Sequence, residues 1–179
     1  MKNLREYGPQ LVRFARAHLR EALGGAKAVR PTGEWCAEIA ATFVTLRWTG
    51  GDLQGCIGTL EADRGIVDDV AYNAVAAGTR DPRMRPCVLD DIDRLHVELS
   101  ILSPLEPIAS EADIRAGTDG IVLLHQGRRA TFLPVMWERL PTMDRFMGEL
   151  RNKAGLPRDF AGEVQLLRYT AAKFEDPAP

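Results

Sequence analysis

An α+β protein, with an antiparallel or mixed sheet built from hairpins and flanked by helices, is what this sequence predicts, on three observations. Two pairs of β-branched and apolar segments are each joined by a tight glycine turn, at Gly50-Gly51-Asp52 and at Gln126-Gly127-Arg128. Stretches of helical periodicity with stop signals lie around them. The two kinds of segment alternate without regular βαβ spacing, which disfavours a doubly wound parallel sheet. A length of 179 residues suits a single compact unit over 1–179, with its core at about 40–174 and room for a smaller subdomain.

Taken in order, Leu4, Leu11, Phe14, Ala15, Leu19, Ala22 and Leu23 recur at helical spacing, and Gly24-Gly25 stops the helix. Positions 26–38 read as a loop with Pro31 and Gly33. Ala41–Thr49 is a strand that Gly50-Gly51-Asp52 returns into Leu53–Gly58, an arm unusually rich in glycine. Asp63 is suited to cap a helix running to about Gly78, with Ile66, Val67, Val70, Ala71, Ala74 and Val75 on its buried face. Pro82 disfavours helical geometry at Asp81, so Thr79–Arg83 breaks that helix.

From Leu95 the chain alternates, with Leu95, Val97, Leu99 and Ile101 on one face and His96, Glu98 and Ser100 on the other. Pro104 and Pro107 end this strand. Ser110 and Asp113 have the spacing of a capping box. Ile121–His125 and Arg129–Leu133 form the second hairpin, followed by helical segments at 135–139 and 143–154. Gly155 and Pro157 close the latter. Val164–Tyr169 is the last strand, and 175–179 is expected to be a loose tail.

Charge narrows the partners. Lys and Arg number 23 against 25 Asp and Glu, a formal charge of -2, so the whole molecule has no pull toward nucleic acid or an anionic membrane. The three cysteines, Cys36, Cys56 and Cys87, have neither disulfide-framework nor zinc-knuckle spacing, and they suit a reducing compartment. No apolar run approaches the roughly 20 residues that span a bilayer, and the first ten residues lack the apolar core of a signal peptide. A cytoplasmic protein without membrane contact is the expectation. No motif implies a cofactor or a metal.

Three groups of residues could carry chemistry. Cys56 lies between Gly55 and Gly58, where glycine lets the backbone approach a ligand or take positive φ, and a thiol there could be a nucleophile. The commoner reading of the same residue is a small buried thiol in a tight strand. Arg80-Asp81-Pro82-Arg83 could grip a carboxylate or phosphate, or Asp81 could simply hold its own turn. His96 and Glu98 share a strand face at a spacing that suits acid/base work, though such faces are commonly just solvated. A catalytic Cys56 would need a cation or base from Arg80, Arg83, His96 or His125. Asn73 interrupts an apolar helix face, where a buried amide requires partners.

Several segments together resemble the AMMECR-one domain family. They are Phe43-Val44-Thr45-Leu46, Leu53-Gln54-Gly55-Cys56-Ile57-Gly58-Thr59-Leu60, Asn73–Ala77, Arg80-Asp81-Pro82-Arg83, Val97–Pro104, Arg128–Pro134 with Trp137, Lys153–Pro157 and Tyr169, in the family's order. The resemblance implies an α+β fold around an antiparallel sheet. It places a ligand or partner surface at the hallmark loop, here Gln54, Gly55, Cys56, Ile57 and Gly58, with Asn73, Arg80, Asp81 and Arg83 nearby. Gln54 stands where the family usually has arginine, and Met84 where it usually has phenylalanine.

The resemblance also implies Memo-like and radical-SAM proteins as partners, the AmmeMemoRadiSam arrangement, but no settled reaction. Two functions follow as expectations. One is an accessory or adaptor domain acting through the Leu53–Gly58 loop. The other is a thiol-dependent enzyme or modification factor with Cys56 as nucleophile on a small anionic substrate. RNA association is a weaker third, given the acidic balance.

Overall fold

The computed structural model describes residues 4–176. Three α-helices, α1 (Leu4–Ala22), α2 (Ile66–Thr79) and α3 (Met143–Lys153), and eight strands are present among them. The strands are β1 (Thr42–Trp48), β2 (Leu53–Gly58), β3 (Leu95–Leu102), β4 (Glu106–Ile108), β5 (Gly120–His125), β6 (Arg128–Phe132), β7 (Gln165–Tyr169) and β8 (Ala171–Glu175). They form two four-stranded sheets, ordered β2-β1-β3-β8 and β4-β7-β5-β6. The pairings β1–β2, β1–β3, β4–β7, β5–β6 and β5–β7 are antiparallel. The predicted α+β class is the observed one. No helix among the described residues is long and apolar enough to cross a membrane.

The chain divides into two compact units, one running through Leu102 and resuming at Ala172, the other Ser103–Ala171. In the first, α1 and α2 pack on one face of the β1–β3 sheet. The alternating set of β3 dictates this: Leu95, Val97, Leu99 and Ile101 join Val44 and Leu46 of β1 beneath Leu11, Leu19, Val67 and Val70 of the helices. Each aliphatic side chain so buried contributes about 1.5–3 kcal/mol. The second unit has its own core, in which α3 sets Phe146, Met147 and Leu150 against Ile121, Leu123 and Leu166.

Several elements depart from their sequence reading. Gly65, not Asp63, precedes α2, and it does so in extended conformation. The Ile66 N–H is met by the Glu38 carbonyl at 2.8 Å, so a backbone bridge replaces the side-chain cap and leaves Asp63 to pair with Arg64. The loop 26–38 contains a 3-10 turn at Glu34–Ala37.

Pro107 sits inside a strand, β4, which tolerates it at the edge of its sheet. The second hairpin turns on two residues, Gln126 (φ 48) and Gly127 (φ 78), so Arg128 already belongs to β6. Glu175 closes β8, where a loose tail was expected. Asp176 is fixed as well, its N–H on the Val97 carbonyl at 3.0 Å and its carboxylate on Arg16 Nε at 2.9 Å. Residues 177–179 of that expected tail lie outside the described residues.

Candidate functional site

Alternation that buries one face of the first sheet turns a different set of side chains to the other. Register places Cys56 opposite Thr45, and Thr45 opposite Glu98, so the three form a row across β2, β1 and β3. A second row pairs Arg47 with His96. Glu98 holds the face together: its carboxylate takes Arg47 Nε at 3.0 Å and Lys173 Nζ of β8 at 3.2 Å. Beside this pair, Arg47, Trp48, Thr49, Gly51, His96, Glu98, Glu175 and Asp176 line a recess of about 290 Å³. No group among the described residues hydrogen-bonds to the His96 imidazole, although the residue is half-buried in that lining.

Cys56 is half-buried, and its Sγ accepts from Thr45 Oγ1 at 3.1 Å. Thr45 stands between it and Glu98 in the row, and the Glu98 carboxylate is engaged by Arg47 and Lys173 and not by the thiol. The glycines beside it have a packing role. A Cβ on Gly55 would lie 2.0 Å from the Ala77 carbonyl oxygen of α2, and one on Gly58 would lie 2.1 Å from the Phe43 ring. Neither glycine has positive φ, so the expected ligand approach is here an approach of the protein's own helix and ring. A bulge at Gln54, between the pairs Leu46↔Gly55 and Arg47↔Leu53, turns that side chain inward to 3 % exposure. There its amide donates to the Arg85 carbonyl at 2.7 Å.

The structure brings Asp81 and Arg83 to Cys56, but not Arg80. Asp81 Oδ2 accepts the Cys56 N–H at 2.9 Å, and Arg83 Nη2 reaches the Cys56 carbonyl at 3.4 Å. Asp81 in turn takes Arg83 Nε at 2.9 Å, Nη2 at 2.6 Å and the backbone N–H at 3.1 Å. The Arg83 guanidinium holds the Asp81 carboxyl well below the ordinary carboxylate range, and the Cys56 and Arg83 N–H groups assist against the opposing effect of burial. Arg80 instead lies over the Tyr72 ring, 5.4 Å from its centroid.

Asn73 has the partners its position required. Its Nδ2 donates to the Thr42 carbonyl and Asp69 Oδ2 at 3.0 Å and to Thr42 Oγ1 and Thr59 Oγ1 at 3.1 Å. Asp69, fully buried, also takes the Thr42 N–H at 2.8 Å and the Thr59 hydroxyl at 2.8 Å. This network joins α2 to the start of β1 and the exit of β2. Sequence reasoning missed Asp69, although it stands four residues before Asn73 on the same buried stripe. His125 lies in the second unit with Nδ1 2.9 Å from the Glu163 carbonyl. Cys87 is buried in the first core, and burial pushes its thiol upward. No three His, Cys, Asp or Glu side chains among the described residues converge as a metal site would require.

Fold and site together define an α+β protein with one polar sheet face and a cysteine-bearing edge strand fastened to an Asp–Arg turn. The AMMECR1 family model matches residues 12–174, and the chain belongs to that family. A protein of Methanothermobacter thermautotrophicus is 34 % identical over 184 residues, covering 96 % of this chain and 95 % of its own. One from Thermotoga maritima is 34 % identical over 137 residues, covering 76 % of this chain and 78 % of its own. The crystal structure of an uncharacterized protein from Pyrococcus horikoshii matches with a TM-score of 0.86 at 29 % identity, covering 96 % of this chain and 92 % of its own.

Proposed function

We propose that this chain is a cytoplasmic accessory domain that binds partner proteins, with Memo-like and radical-SAM proteins as the expected partners, through the polar face of its first sheet. The observation that carries this reading is the recess of about 290 Å³ beside the Arg47–Glu98 pair, where the His96 imidazole has no hydrogen-bond partner among the described residues. A half-buried imidazole left open is suited to receive a group from outside. Substitution of His96 disturbs no internal hydrogen bond among the described residues, so His96→Ala isolates binding from folding. Affinity for a purified Memo-like or radical-SAM protein is expected to fall tenfold or more in His96→Ala and in Glu98→Gln. Affinities equal to wild type in both variants would refute this surface.

A second reading, a thiol-dependent enzyme using Cys56, is favoured by one observation, the half-buried Sγ hydrogen-bonded to Thr45 on the same face. Against it, no base or cation among the described residues hydrogen-bonds to that sulfur. Alkylation rate measured against pH, with Cys36 and Cys87 replaced by Ala, decides between the two. The binding reading expects no inflection near neutral pH, whereas one that moves in Arg83→Ala would favour the enzyme.

A further inference from the structure

β2 ends the first sheet, so one side of it has no strand beside it. Such an edge is a template for strand addition, and proteins commonly blunt it with lysine, proline, a bulge or a cover. The sequence Leu53-Gln54-Gly55-Cys56-Ile57-Gly58 has no charged residue and no proline, and its bulge is confined to Gln54. The remaining stretch, Gly55–Gly58, pairs regularly with β1 and has no device of its own.

Protection is supplied from another segment. At Cys56 both backbone groups point away from β1, and the turn after α2 meets both: the Asp81 carboxylate accepts the N–H at 2.9 Å and the Arg83 guanidinium donates to the carbonyl at 3.4 Å. An acceptor and a donor so placed reproduce what one residue of an antiparallel neighbour would present. The turn is fastened on both sides. The Cys87 N–H donates to the Gly78 carbonyl at 2.7 Å, and Gln54 Nε2 donates to the Arg85 carbonyl at 2.7 Å. Asp81, with its side chain 1 % exposed, is held as a buried acceptor, while Arg83 closes over it from solvent.

We propose that Asp81 and Arg83 are an edge guard that prevents β2 from pairing with β2 of a second copy of this chain. The occupant they exclude follows from geometry. A residue whose N–H and carbonyl both face outward exchanges both hydrogen bonds with its own copy across a two-fold axis, which makes the bared edge self-complementary at Cys56. The guard is independent of the partner-binding role given to the polar face.

Sedimentation velocity over a concentration series tests the guard. Asp81→Ala/Arg83→Ala, shown folded by circular dichroism, is expected to self-associate at least tenfold more tightly than wild type. Adding Cys56→Pro, which removes the outward N–H at a position that donates nothing to β1, is expected to return the variant to wild-type sedimentation. A folded double variant that sediments as wild type would overturn the proposal. So would association that survives Cys56→Pro. If the double variant does not fold, Arg83→Ala alone removes the donor over the Cys56 carbonyl. It is then expected to associate more tightly than wild type, and unchanged sedimentation would likewise overturn the guard.

Discussion

Single side chains in this protein are legible to the degree that their own chemistry is at odds with their local setting. Asn73 stood out because an amide on an apolar helical stripe demands company, and four acceptors within 3.1 Å supply it. Asp69, its neighbour one turn earlier, went unremarked, since nothing local shows that β1 delivers Thr42 onto it. Asn73→Ala takes the amide donor from those acceptors while Asp69 keeps the Thr42 N–H and the Thr59 hydroxyl, and it is expected to cost about 2 kcal/mol in urea denaturation. A loss below about 1 kcal/mol would mean that water replaces the amide. Asp81 carries a pH signature. Because its folded carboxyl titrates below the ordinary Asp value of about 3.9, its contribution to stability is present above that value and is lost as pH falls through the folded one. The stability gap between wild type and Asp81→Asn is therefore expected to be full at pH 7 and to shrink progressively below pH 4 in thermal unfolding. A gap that stays constant into acid would show that the charge does not contribute.

At the scale of elements, periodicity and turn chemistry placed both hairpins, α1, α2, α3 and β3 close to their observed bounds. What they could not place were short pieces defined by their neighbours. β8 has five residues, and its inclusion in the first sheet depends on β3, some seventy positions earlier in the chain. β4 has three residues and contains a proline that reads as a stop until the pairing with β7 is known. The glycines of Leu53–Gly58 are the instructive case. Their presence was visible, but glycine serves a ligand approach and a helix approach alike, and only the Ala77 carbonyl shows which applies at Gly55. Gly55→Ala drives a Cβ into rigid backbone and is expected to destabilise by about 3 kcal/mol, read as a lower urea midpoint at unchanged slope. A near-neutral alanine would mean that α2 shifts freely over β2.

For the whole molecule, near-balanced charge and ordinary composition indicated a folded protein without a nucleic-acid or membrane signature, and they said nothing of where a partner would dock. A smaller subdomain was allowed for by length, but its boundaries were not legible, because no linker composition marks Leu102 or Ala172. The face that carries the functional account was half legible. Cys56, His96 and Glu98 were each singled out, but their common face became evident only when β1 placed Thr45 and Arg47 between them. Covalent footprinting tests that face most directly, with Cys56 alkylated, His96 modified by diethyl pyrocarbonate and Glu98 labelled through carbodiimide, in the presence and absence of a saturating Memo-like or radical-SAM partner. A docking face predicts that labelling at all three falls together while that of exposed carboxylates in Ser103–Ala171 is unchanged. Binding of either partner with undiminished labelling at Cys56, His96 and Glu98 would contradict it.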